Sequence, residues 1–276
     1  MKIFAYLIFI IFTKSFISAT NYYVAVSYGD DTNNGLSIST PFKTIGKAAS
    51  IMSSGDKCYI RQGRYHETIS IDNLDGTSGS PVIFTNYNNE RVVIDGTIPI
   101  TSTWTQVGSS NLWKTKLSQD IWQLFINWEE QVMARWPNAK FNDGTIWDND
   151  NYWAKGTIDD DENAYSNGTI IDGPYTNSVG TLISLSSKSF DLDETNKEAI
   201  AILNLGSFRT WSRLVTSHSG NTFNYATVPN WKTKHHYYYL EGRKEFLDQE
   251  GEWWYDMYNN NDSLYYFAAS GVDPNK

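Results

Sequence analysis

Residues 55–96 read GDKCYIRQGRYHETISIDNLDGTSGSPVIFTNYNNERVVIDG. Four β-type runs fall in this stretch: Cys58–Ile60, Ile69–Ile71, Val82–Phe84 and Val92–Ile94. Turn residues bound them at Gly55-Asp56, Gly63, Gly76 to Pro81 and Asp95-Gly96. The first and third runs lie 24 positions apart, the second and fourth 23. Two strand runs recurring at nearly one period mark a solenoid coil. One coil cannot bury its apolar face alone, so the spacing predicts a stack of parallel strands.

Outward from this stretch, composition bounds the rest. The chain has 276 residues, 40% hydrophobic and 19% charged, which is globular rather than disordered. Its net charge of -9 would be repelled by nucleic acid or by an anionic membrane, so neither is expected as a partner. Aromatic residues reach 15%, with 11 Trp and 18 Tyr. Most must pack inside. Flat rings with a polar tip that stay exposed suit sugars and other amphipathic ligands.

Met1-Lys2 is followed by an unbroken apolar run from Ile3 to Phe12, then by Ser18 and Ala19. This reads as a secretory signal peptide over residues 1–19, cleaved after Ala19, or alternatively as an uncleaved signal anchor. A secreted, extracellular protein is expected. Cys58 is the single cysteine, so no disulfide can form within the chain, and the thiol reads as a small buried hydrophobe. Asn167-Gly168-Thr169 and Asn261-Asp262-Ser263 fit the N-glycosylation pattern, which makes Asn167 and Asn261 surface sites if the source is eukaryotic.

Before the repeat, Tyr22–Val26 reads as a strand and Gly29–Gly35 as a polar turn. A short helix is expected to open at Thr40-Pro41, with Thr40 as its cap and Ile45, Ala48, Ala49 and Met52 on one face. That face would lid the first coil. The ordered series Tyr22-Tyr23-Val24, the Gly/Asp/Asn turn, Pro41–Ile45, Ala48-Ala49, Gly55-Asp56 and Tyr59–Glu67 resembles the entry segment of right-handed parallel β-helix proteins. Many of these are secreted glycoside hydrolases or polysaccharide lyases. The resemblance covers roughly residues 21 to 98 and speaks to fold rather than to reaction.

After Gly96 the period is lost. Trp residues recur between Gly, Asn and Asp turns, and Leu124–Ile126 and Gln131–Ala134 flank a hairpin pattern at Asn127–Glu130. Many short strands over residues 102–235 predict an inserted antiparallel, sandwich-like β module. Residues 236–276 would then return toward the β-helix. Ala134–Asn138 together with Leu247–Trp254 resembles the insertion of β-helical enzymes around glycoside hydrolase family 141. That resemblance implies that the catalytic carboxylates lie in coils beyond this chain, which stops at Lys276. The expectation is an all-β fold: a capped start of a parallel β-helix over residues 20–101 with one short helix, the insertion, and a truncated helix body. An enzyme part inactive by itself is expected, or a non-catalytic glycan-binding or structural module. An uncapped end predicts self-association.

Several constellations carry chemistry. Arg135-Trp136 could hold a uronate by a two-pronged guanidinium contact and a stacked ring; alternatively the Arg stacks on Trp inside the inserted module and closes a strand end at Pro137. Asp248, Glu250 and Glu252 supply the carboxyl pair that glycoside hydrolysis needs, but Gly251 among them reads as a structural turn. Asp148–Asn151 and Asp159–Glu162 are oxygen-rich loops of the kind calcium uses, though solvated loops read as well. His235 and His236 are adjacent, so in a strand they face opposite ways and do not suit one metal. No cofactor is otherwise expected, and no phosphate loop, cysteine knuckle or nucleophile elbow is present.

Overall fold

A computed structural model describes residues 19–72, 74–156, 168–188, 190, 199–206, 209–228, 236–256 and 262–276. The chain is mostly β, with two short α-helices among the described residues. It divides into two compact units, Met1–Ile100 and Thr101–Lys276.

The first unit holds strands β1 (Asn21–Val24), β2 (Lys57–Ile60), β3 (Gly63–His66), β4 (Ile83–Asn86) and β5 (Val92–Asp95) and helix α1 (Ile45–Ala49). β1, β2 and β4 pair in parallel, with Tyr22 opposite Cys58 and Cys58 opposite Phe84. β3 and β5 form a second parallel ladder, with Tyr65 opposite Ile94. The stacked parallel runs are therefore present, but at offsets of 26 and 29 residues rather than 24 and 23. The expected strand Ile69–Ile71 is not one. Gly63–His66 takes its place, because Tyr65 points inward, 1% exposed, while Ile71 stays 61% exposed. Two short ladders are not by themselves a right-handed parallel β-helix, and most pairing elsewhere is antiparallel or mixed.

The helix opens later than the Pro41 signal suggests. Thr44 is the cap, its hydroxyl accepting from the Lys47 amide at 3.1 Å. Glu67 takes the next two free amides, from Ile45 at 2.9 Å and Gly46 at 2.8 Å. The expected face is buried: Ile45, Ala48, Ala49 and Met52 all pack inside. Ile45, Ala48 and Met52 join Val24, Phe42, Cys58, Ile60 and Tyr65 in one core, each large side chain contributing roughly 1.5–3 kcal/mol. Burial pushes the Cys58 thiol up to about 12, so it is inert packing. Gly35, at φ 68°, lies flat against the Phe42 ring, where any Cβ would collide with it.

The second unit begins with β6 (Thr105–Gln106), β7 (Leu112–Lys116), β8 (Leu124–Ile126), β9 (Glu129–Met133), β10 (Arg135–Trp136) and β11 (Ala154–Lys155). β12 (Thr169–Ile171), β13 (Tyr175–Thr176), β14 (Leu182–Ile183), β15 (Ile200–Gly206), β16 (Arg209–Ser219) and β17 (Thr222–Tyr225) follow. β18 (Tyr237–Glu241), β19 (Glu252–Asp256) and β20 (Ser263–Phe267) close it. Among the described residues a seven-stranded antiparallel sheet runs β10-β18-β15-β16-β17-β12, with β11 also on β18. A six-stranded mixed sheet runs β6-β7-β20-β19-β9-β8. Only the β9–β19 pair in it is parallel.

Residues 236–276 carry strands of both sheets of this unit. β18 lies inside the first sheet, and β19 and β20 lie inside the second. The reason is period-2 burial: Tyr238 and Leu240 are fully buried, as are Ala201, Leu203 and Leu205 on the neighbouring β15. Pulling out this last stretch would unpair both sheets. The predicted hairpin is present between β8 and β9, its Asn127-Trp128 turn at φ 51° and 75°, the sign a two-residue primed turn requires.

Candidate functional site

The site grows from the β10–β18 pairing. Arg135 lies directly opposite Glu241, and Trp136 opposite Leu240. Alternation then sorts the side chains: Trp136, Tyr238 and Leu240 enter the core, and Arg135, Tyr239 and Glu241 take the other face. Trp136 packs against Tyr238 with ring centroids 6.1 Å apart, so it is not a sugar platform.

Arg135 is 1% exposed. Its Nε donates to the Pro137 carbonyl at 2.8 Å and its Nη2 to the Tyr152 carbonyl at 3.1 Å. The guanidinium lies 3.7 Å from the centre of the Tyr239 ring, and Trp153 meets that ring edge-on at 4.8 Å. Burial lowers the guanidinium to about 10, against the pull of Tyr239, Glu241 and Glu252, so it stays a cation at neutral pH. Nη1 alone has no hydrogen-bond partner. The Arg is stacked, but on the Tyr239 ring rather than on Trp136. Two of the three nitrogens are committed to carbonyls, so no two-pronged fork is left for a uronate.

Glu241 lines a hollow of about 180 Å³ together with Arg135, Tyr239, Glu130, Phe141 and Trp122. Its carboxyl accepts no hydrogen bond among the described residues. Burial pushes it up to about 7, and Arg135 pulls the other way. Glu130, the second carboxylate of the hollow, accepts from Gln123 Nε2 at 2.8 Å. Trp122 stands on its rim, 84% exposed. Phe141 carries a second exposed tryptophan, Trp147, with centroids 6.1 Å apart.

An adjoining hollow of about 310 Å³ shares Glu130, Gln131, Val132 and Phe141 and adds Glu129, Lys140 and Glu250. Gly251, at φ 90°, turns the chain beside it so that Glu250 and Glu252 part company. Glu252 goes inside, 1% exposed, and accepts from the amides of Asp248 and Gln249 at 3.1 Å each and Arg135 at 3.5 Å. Burial nevertheless pushes its carboxyl up to about 8. Asp248 pairs with Lys188 at 2.8 Å and accepts from Asn138 at 2.7 Å. The three carboxyls of the Asp248–Glu252 turn therefore do three different jobs and do not converge.

The remaining expected residues scatter. Asp148 caps the short helix Asn149–Tyr152, binding the Asn151 amide and side chain. Among the described residues no cluster of three or more His, Cys, Asp or Glu could hold a metal. Asn167, Asn261, Asp159–Glu162 and His235 lie outside the described residues, as do residues 1–18 of the signal segment. No helix among the described residues is long and apolar enough to cross a membrane. Glu241, Tyr239 and Trp122 were not singled out as a site from sequence. The available signal was the alternation in Tyr237–Glu241, which puts Tyr239 and Glu241 on one face.

No protein-family model matches the chain. A solved glycoside hydrolase superposes on 94% of this chain with a TM-score of 0.66 at 18% identity, and the match covers 45% of that protein. The fold is therefore glycoside-hydrolase-like. XylC, solved with xylose, aligns over 84% of this chain and 32% of its own, at 19% identity and a TM-score of only 0.33, and carries no argument. The uncharacterized protein YwoF of Bacillus subtilis is 40% identical over 85 residues, which is 30% of this chain and 18% of YwoF. The chain thus matches less than a fifth of YwoF and under half of the glycoside hydrolase.

Proposed function

We propose that this chain is part of a secreted, carbohydrate-active β-helical protein, and that its Thr101–Lys276 unit holds a glycan in the hollow beside Trp122. The parallel ladders of β1-β2-β4 and β3-β5 are read as the opening coils of a right-handed parallel β-helix. The signal-like Met1–Ala19 supports export. One observation carries the glycan reading: an 84% exposed tryptophan at the rim of a hollow whose wall presents a carboxyl with no hydrogen bond among the described residues. Sugars need that combination, a flat apolar face to stack on and acceptors for their hydroxyls. The glycoside-hydrolase-like fold agrees with it.

Affinity electrophoresis of the whole chain through gels containing soluble polysaccharides tests this. Retardation by at least one polysaccharide is expected, weakened about tenfold or more by Trp122→Ala, as loss of an aromatic anchor does. No retardation anywhere, or retardation indifferent to Trp122→Ala, would contradict it.

A second reading is hydrolysis in the same hollow. Glu241, titrating near 7, has the character of a general acid, and Glu130 offers a second carboxyl. Binding is preferred because Glu130 sits on the β8–β9 hairpin with its contact to Gln123 exposed, a poor setting for a group that must be held rigidly. Turnover of any polysaccharide lost in Glu241→Gln would favour hydrolysis. No metal is assigned, and calcium dependence is tested by repeating the gels with a chelator. The outer edges of β4 and β5 are where a second copy would pair; sedimentation at rising concentration tests that self-association.

A further inference from the structure

We infer that the hollow takes a neutral sugar, one of whose hydroxyls donates to the Glu241 carboxyl and accepts from Arg135, and that acidic sugars are excluded. This rests on the glycan reading above and names its ligand class.

Three observations converge. Arg135 is almost fully buried, lines the hollow and keeps one nitrogen, Nη1, without a partner. A buried donor left bare is costly, so an acceptor brought against it from the hollow that Arg135 lines would be favoured. Glu241, directly across the strand pair, accepts no hydrogen bond among the described residues. A hydroxyl is the group that accepts from one neighbour while donating to another. Charge then discriminates between sugars. The two adjoining hollows carry Glu129, Glu130, Glu241 and Glu250 against Arg135 and Lys140. A uronate would bring a further negative charge into an acidic surround, with no two-pronged guanidinium to receive it. A fully cationic amino sugar would meet the Arg135 guanidinium beside Glu241. The smaller hollow lies below the roughly 300–1,000 Å³ of ordinary small-molecule sites, which suits a single ring rather than a buried oligomer.

Isothermal titration of the whole chain with galactomannan, mixed-linkage glucan, polygalacturonate and chitosan oligosaccharides at pH 6 and low salt tests this. A neutral glycan should bind at least tenfold more tightly than polygalacturonate or chitosan. Glu241→Ala should weaken neutral binding about fivefold or more, the value of one hydrogen bond, at unchanged thermal midpoint. Glu241→Gln keeps an acceptor and should lose no more than about threefold. Polygalacturonate or chitosan binding tightest, with Trp122 still required, would overturn the ligand class and leave the glycan reading standing. Neutral binding unmoved by Glu241→Ala would overturn the role of Glu241. No binding by any of the four would overturn both readings.

Discussion

In the Met1–Ile100 unit Asp95 sits at about 2, held down by the Thr97 amide and the Arg64 guanidinium, whereas in the Thr101–Lys276 unit Glu241 sits at about 7 and Glu252 at about 8. Glu90 is likewise lowered, by Arg61 and the Gln62 amide. Asp172 of the second unit is raised by burial despite the Tyr238 hydroxyl and Leu185 amide that bond it. The same chemical group moves in opposite directions because the two units spend it differently. In the first, carboxylates tie loops down at the surface. In the second, they are carried inward on strands, where desolvation outweighs their partners. A carboxyl carried inward with no hydrogen bond among the described residues is a costly feature, and it marks the second unit as the place to look for function.

Asp95 and Glu90 on one side and Glu241 and Glu252 on the other should therefore respond to pH with opposite signs. A carboxyl lowered on folding stabilises above its unfolded value and loses that contribution as pH falls through about 4 toward 2. A carboxyl raised on folding stabilises below about 4.5 and loses that contribution as pH rises through 7 to 8.

Breaking the comparison in its apolar part has the largest effect. Phe42→Ala should cost about 3–5 kcal/mol in urea unfolding, at all pH values alike, since no titrating group is touched. Glu252→Gln should leave a flatter profile: the native chain loses stability between pH 5 and 8, on the order of 1 kcal/mol per pH unit at the steepest, and the variant loses less, only the Glu241 part remaining. The same variant leaves glycan retardation intact if Glu252 only supports the turn. Glu67→Ala should cost about 1 kcal/mol by stripping the Ile45 and Gly46 amides of their acceptor, with circular dichroism barely changed because α1 is five residues long. Asp95→Asn has the smallest effect at neutral pH, and its signature is confined to acid: the loss of stability between pH 4 and 2 becomes shallower.

The units also differ in how far their sequence could be read. The buried face of α1 and the parallel stacking followed from spacing, and the buried Cys58 from its being a single thiol in a β-type run. The register did not. Cys58 was expected opposite Val82 and lies opposite Phe84, a slip of two residues that keeps every side chain on its own face and leaves no mark in the apolar pattern. In the second unit the β8–β9 hairpin was legible from its turn, but the place of residues 236–276 was not. β18 pairs with β10, about a hundred residues earlier in the chain, and β15, about forty earlier. Nothing local encodes those partners. The candidate site shares that fate. Arg135 was visible as an unusual residue, but its neighbour Glu241 comes to it only through the β10–β18 pairing, and the hairpin then brings Glu130.

A crystal structure of the whole chain soaked with the neutral oligosaccharide that it binds tests the central claim most directly. A sugar ring should lie on the Trp122 face with a hydroxyl within hydrogen-bond distance of the Glu241 carboxyl. A ring bound elsewhere, with the hollow beside Arg135 left untouched, would contradict the account.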